Sequence, residues 1–206
     1  MSFGFPRVEK FGISLAALAT LALAFVIALA AGRAKADEPV QVRLFGSTEN
    51  TNLDTSPFPK WTSALQRYES ERRLEDAPCN GACPLQRWKA FMSGLAGQDR
   101  LRQLEAVNAY VNRTPYQADA VRFGMPDYWA TPREFLGRAG DCEDYAIAKY
   151  LSLRKLGWQA HALRLVVLKD EVRNELHAVL VAYHNGTAYV LDNLDPRVTE
   201  HAAIRN

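Results

Sequence analysis

Cysteine is scarce, three in 206 residues. No second Cys or His pair lies near Cys79 and Cys83 in sequence to complete the four ligands of a zinc site. Charge of one sign is lacking too. Of 25 basic side chains four fall in the first 36 residues, against one of 23 acidic ones, so residues 37–206 carry 21 against 22 and are near neutral. That balance, without interleaved aromatic and basic residues, excludes the footprint of a nucleic-acid binder. There is no internal repeat and no low-complexity tract. With 48% of residues apolar, 10% aromatic and 23% charged, the composition is that of one ordinary globular domain.

A long apolar run occurs once. Arg7 and Lys10 precede an uncharged stretch over 11–32, which leads to Ala34-Lys35-Ala36. This small-x-small ending reads as an export signal over 1–36, cleaved after Ala36, with delivery to the periplasm. The rival reading is an uncleaved anchor, since 22 uncharged residues are enough to span a bilayer. The membrane is then met only through this segment. Residues 37–55 are polar and aperiodic, a linker or N-terminal arm, and the domain proper runs over 56–206.

Apolar residues recur at helical spacing over 58–75, 85–95 and 100–111, and these aromatic-rich stripes read as core faces. Residues 112–130 are loop-like, interrupted by Pro115, Gly124 and Pro126. Thr131-Pro132-Arg133-Glu134 has the capping-box spacing of a helix start. A helix over 142–156 follows, stopped by Gly157. Strand-like runs then occupy 160–168, 176–183 and 188–191. Helices first and antiparallel strands later make an α+β fold.

Cys79 and Cys83 are close enough to bridge around a Gly-containing turn, with two unpaired structural thiols as the alternative. Cys142 is then left over. It stands at the first position of its helix, after Gly140, which permits a tight turn, and Asp141, a good cap. A helix N-terminus favours a thiolate and offers free N–H groups to an oxyanion. On the helix alone, a small buried residue is as good a reading.

His177 and Asp192 decide between them. Asn185-Gly186 between strands predicts a two-residue turn pairing His184 with Thr187. Counting outward puts His177 and Asp192 on one face as diagonal neighbours, about 7–8 Å apart at the backbone. A carboxylate there fixes the imidazole tautomer. A histidine satisfied by backbone is the plainer reading of His177 taken singly. His161 has no aspartate so placed, His184 falls at the hairpin end and His201 in the tail.

The blocks Asp127-Tyr128-Trp129-Ala130-Thr131-Pro132-Arg133-Glu134-Phe135-Leu136, Gly140-Asp141-Cys142-Glu143-Asp144-Tyr145-Ala146-Ile147-Ala148-Lys149-Tyr150, His177-Ala178-Val179-Leu180 and Tyr189-Val190-Leu191-Asp192-Asn193 closely resemble the bacterial transglutaminase-like cysteine proteinases. The resemblance runs over about 85–194. It implies a papain-like or transglutaminase-like core and a Cys142, His177, Asp192 triad that hydrolyses a peptide bond. It implies a surface adhesin as substrate, cut in its N-terminal region to control biofilm attachment, and an inner-membrane regulatory receptor as a partner. It also implies calcium (Ca2+) beside the nucleophile, matching Asp141 and Glu143 with Asp144. Family members carry a further C-terminal segment where this chain ends 14 residues after Asp192, which bears on the closing strands and substrate groove.

Calcium has a physical reason as well. A carboxylate about 5 Å from a thiolate costs on the order of 3 kcal/mol at an effective dielectric of 20, and a hard cation with oxygen ligands offsets this. The plainer alternative is that Asp141 caps the helix while Glu143 and Asp144 favour its first turn. Two other functions fit the same residues: a transglutaminase-type acyltransferase, which shares every step up to deacylation, and a non-catalytic calcium-binding module on the same fold.

Overall fold

The computed structural model describes residues 43–47 and 54–204; the expected export signal and most of the expected linker lie outside the described residues. Among the described residues a 3-10 turn (Leu44–Gly46) is followed by three amphipathic helices, α1 (Pro59–Glu71), α2 (Pro84–Leu95) and α3 (Arg100–Val111). Proline opens both α1 and α2, where its missing N–H is no loss. Asp99 caps α3, accepting from the Leu101 N–H at 2.9 Å. A Cys79–Cys83 disulfide closes the turn before α2.

The stretch expected to be loop holds one helical turn, α4 (Asp119–Arg122), and the capping box of α5 (Pro132–Leu136) is formed as its sequence predicts. The long helix α6 (Cys142–Lys155) ends before Gly157, whose φ of +83° suits glycine.

Four strands follow in the order β1 (Leu163–Asp170), β2 (Glu175–His184), β3 (Thr187–Leu191) and β4 (Val198–Glu200), all antiparallel. The β2–β3 turn has positive φ at both Asn185 (49°) and Gly186 (78°), and His184 pairs with Thr187 as the Asn-Gly signal requires. β1 starts later than expected, because Ala160–Ala162 form a 3-10 turn. β4 had no recognisable sequence pattern.

Alternation along β2 builds two cores. Leu180 and Ala182 join Ile147, Leu151 and Leu153 of α6 with Trp88, Leu104 and Phe135. Val179 and Val181 face the other way, with Val190 and Leu44. Leu44 comes from the stretch expected to be linker, and the neighbouring Phe45 N–H donates to His201 Nε2 at 2.7 Å. Among the described residues no helix is long and apolar enough to cross a membrane.

Candidate active site

Cys142 opens α6 and is the free cysteine of the described residues. Its thiol donates to Glu143 Oε2 at 3.0 Å. Burial pushes the thiol well above its usual range, and the hydrogen bond and negative charge of Glu143 add to this. A backbone N–H from Ala178, next to His177 on β2, opposes the shift. The sulfur thus sits against the strand that carries the candidate base, and without compensation it is held as a thiol.

His177 is 8% exposed, and its Nε2 lies 2.8 Å from Asp192 Oδ1. β3 ends at Leu191, which pairs with Leu180, so Asp192 is the first residue past the ladder and turns its carboxylate to the ring. The same Oδ1 accepts from the Leu194 N–H at 2.9 Å. Burial raises the Asp192 pKa, but the His177 bond, the Leu194 N–H and the charges of His177 and Lys149 outweigh it and hold the carboxyl below its usual range. The Nε2–Asp192 bond leaves Nδ1 as the nitrogen free to take a proton.

Asp141 occupies the cap position, but its side chain makes no capping hydrogen bond; the expectation that it caps the helix is corrected. Its carboxylate turns instead toward Asp119 and Asp144, and ligand atoms of the three lie within 4.8 Å of one another. Each flanking aspartate spends one oxygen on a backbone N–H: Asp144 Oδ1 accepts from Ala130 at 2.6 Å, and Asp119 Oδ2 from Tyr128. Asp119 Oδ1, Asp141 Oδ1 and Asp144 Oδ2 are buried without a partner. Burial raises all three acids, Asp141 to about 8 with Glu143 and Asp144 adding, and Asp144 to about 7 with Asp119 and Glu143 adding. Orphaned buried carboxylate oxygens converging this closely fit a hard cation with oxygen ligands.

Of the residues read from sequence as ligands, Asp141 and Asp144 are in this group. Glu143 lies beside it, bonded to the thiol and also to the carboxyl of Asp141. Asp119 was not anticipated, because a lone aspartate 22 residues before Asp141 in a loop-like stretch carries no local signal.

Gly140 makes room for the cluster. A Cβ there would lie 2.2 Å from Asp144 Oδ2 and 2.7 Å from Phe135 Cδ2. Close approach, rather than the tight turn expected from sequence, requires the glycine. His161 is exposed, and His184 lies against Trp158 with ring centroids 5.8 Å apart.

Residues 80–204 match the family model of the bacterial transglutaminase-like cysteine proteinases. Three solved structures of Legionella pneumophila LapG resemble the chain, each at 28% identity with a TM-score of 0.57. The calcium-bound form is covered over 66% of this chain and 77% of its own, the EGTA-treated form over 66% and 75%. No curated protein matches the chain. The α+β core is therefore transglutaminase-like, and the chain belongs to the bacterial transglutaminase-like cysteine proteinases and is a cysteine protease.

Proposed function

We propose that the protein is a calcium-dependent endopeptidase of the periplasm with Cys142 as nucleophile, His177 as base and Asp192 as its orienter. Its substrate in this reading is the N-terminal region of a large surface adhesin, whose cleavage controls biofilm attachment, and an inner-membrane receptor regulates it. The observation that carries the reading is the His177 Nε2–Asp192 Oδ1 bond on the strand whose next residue directs its N–H at the Cys142 sulfur.

In the reaction, the Cys142 sulfur attacks the scissile carbonyl carbon while His177 Nδ1 takes the thiol proton. Asp192 holds the ring in the tautomer that permits this and stabilises the imidazolium. Backbone N–H groups at the start of α6 stabilise the oxyanion. His177 returns the proton to the departing amine, leaving a thioester on Cys142. Water, deprotonated by His177, then releases the acid and restores the thiol.

Asp119, Asp141 and Asp144 would hold the calcium ion, which supplies positive charge beside carboxylates that otherwise oppose a thiolate. One relative's structure is calcium-bound, and the orphaned aspartate oxygens of this chain support a cation among them.

Incubation of the protein with the N-terminal region of an adhesin encoded nearby tests this. Cleavage is expected from the parent and not from Cys142→Ala, and EGTA suppresses it. Cleavage surviving in Cys142→Ala removes the nucleophile from the account; cleavage that survives a chelator removes calcium.

A further inference from the structure

Lys149 is 1% exposed. A buried ammonium is costly unless it is paired, and a side chain of Met, similar in length, would fill the same space without that cost. Its Nζ donates to the Leu191 backbone oxygen at 3.3 Å, and its charge and that of Asp192 attract each other. The Tyr145 ring lies 5.9 Å from it. Lys149 is seven residues after Cys142, two helical turns, so both leave the same side of α6 about 10 Å apart along the axis. The next carbonyl, that of Asp192, accepts from Asn112 Nδ2, the residue just past α3, at 2.8 Å. Carbonyls on both sides of the Asp192 Cα are thus held by a buried lysine of α6 and a half-buried asparagine at the end of α3.

We propose that Lys149 is a positioning residue for the proteolytic reaction. Its ammonium fixes the end of β3, so that the Asp192 carboxylate stands where it orients His177 toward the thiol borne by the same helix. This rests on the triad reading of Cys142, His177 and Asp192. The alternative is a strut that serves stability alone. The two differ in sign and in dependence on Asp192. Removing a positive charge near Asp192 by itself favours the imidazolium and raises thiol reactivity, so a fall in reactivity is the signature of lost position. A fall caused through Asp192 also disappears once Asp192 has lost its function.

The test is the second-order rate of Cys142 alkylation by iodoacetamide, in calcium-containing buffer below pH 7, where Lys149 carries its proton, on the full chain. Cys79 and Cys83 are bonded to each other, so the label reports on Cys142. Lys149→Met removes donor and charge, and Lys149→Gln keeps a donor to the Leu191 carbonyl without the charge; near-UV circular dichroism checks that each variant is folded. We expect both variants to react at least about tenfold more slowly than the parent, the order of loss when an outer partner that orients a metal-bound imidazole is removed. We expect Lys149→Met to add nothing in an Asp192→Asn background. Rates within about twofold of the parent, the scatter of independent sites, overturn the proposal. So does a rise in rate, or a fall of equal size in the Asp192→Asn background. If His177→Ala leaves the parent rate unchanged, the triad reading itself fails, and the Lys149 proposal with it.

Discussion

Single residues here are chosen for what their neighbours need. Gly140 is present because Asp144 and Phe135 leave no space for a Cβ, and Asp141 gives up a capping bond to join an acidic cluster. Neither reason was legible in the sequence, where both residues read as ordinary helix-start signals. Asp119 was silent for a different cause: its partnership with Asp141 and Asp144 arises only when α4 folds against the start of α6. Lys149 lends itself to a sharper expectation. Burial lowers it from its ordinary 10.5 to about 7 against the pull of Asp192. Between those values the unfolded chain holds a proton that the folded chain lacks, so stability falls as pH drops through that window and levels off below about 7. Lys149→Met removes this dependence. Urea denaturation should show the variant gaining on the parent more at pH 7 than at pH 10; an equal difference at both contradicts the assignment.

At the scale of elements, the β2–β3 hairpin was the part most fully legible. Asn185-Gly186 demands the turn, and the turn fixes the register that brings His177 and Asp192 together. The capping box of α5 was equally local, and formed as read. What stayed hidden were contacts made across the chain: β4, the burial of Leu44 on the sheet and the seat of α1. α1 reaches the site through Arg67, which bonds Tyr128 Oη, the Trp129 carbonyl at 2.5 Å and Glu134 Oε2 at 2.5 Å. The segment it grips supplies the Tyr128 and Ala130 N–H groups that hold Asp119 and Asp144. Arg67→Ala should therefore cost about 1.5–3 kcal/mol, the range for hydrogen bonds to charged groups, and weaken calcium binding as well. Calorimetric titration with calcium checks the second part; unchanged affinity in a destabilised variant would confine Arg67 to stability.

For the whole molecule, α6 and the sheet form one packed body whose edge carries thiol, imidazole and carboxylates, with the protease family shown by the match over 80–204. A cation bound only by the folded state stabilises it by mass action, about 2.7 kcal/mol at a hundredfold excess over Kd. Calcium should raise the melting temperature of the parent and not that of Asp144→Asn; equal shifts in both would place the ion elsewhere. The central claim is that Cys142 forms a thioester that water resolves. Mass spectrometry of an adhesin-fragment digest run in water enriched in oxygen-18 tests it most directly. The account predicts two fragments, the new C-terminal carboxylate carrying the label, and no fragments from Cys142→Ala. An isopeptide cross-link in place of a cut, or labelled fragments persisting in Cys142→Ala, would contradict it.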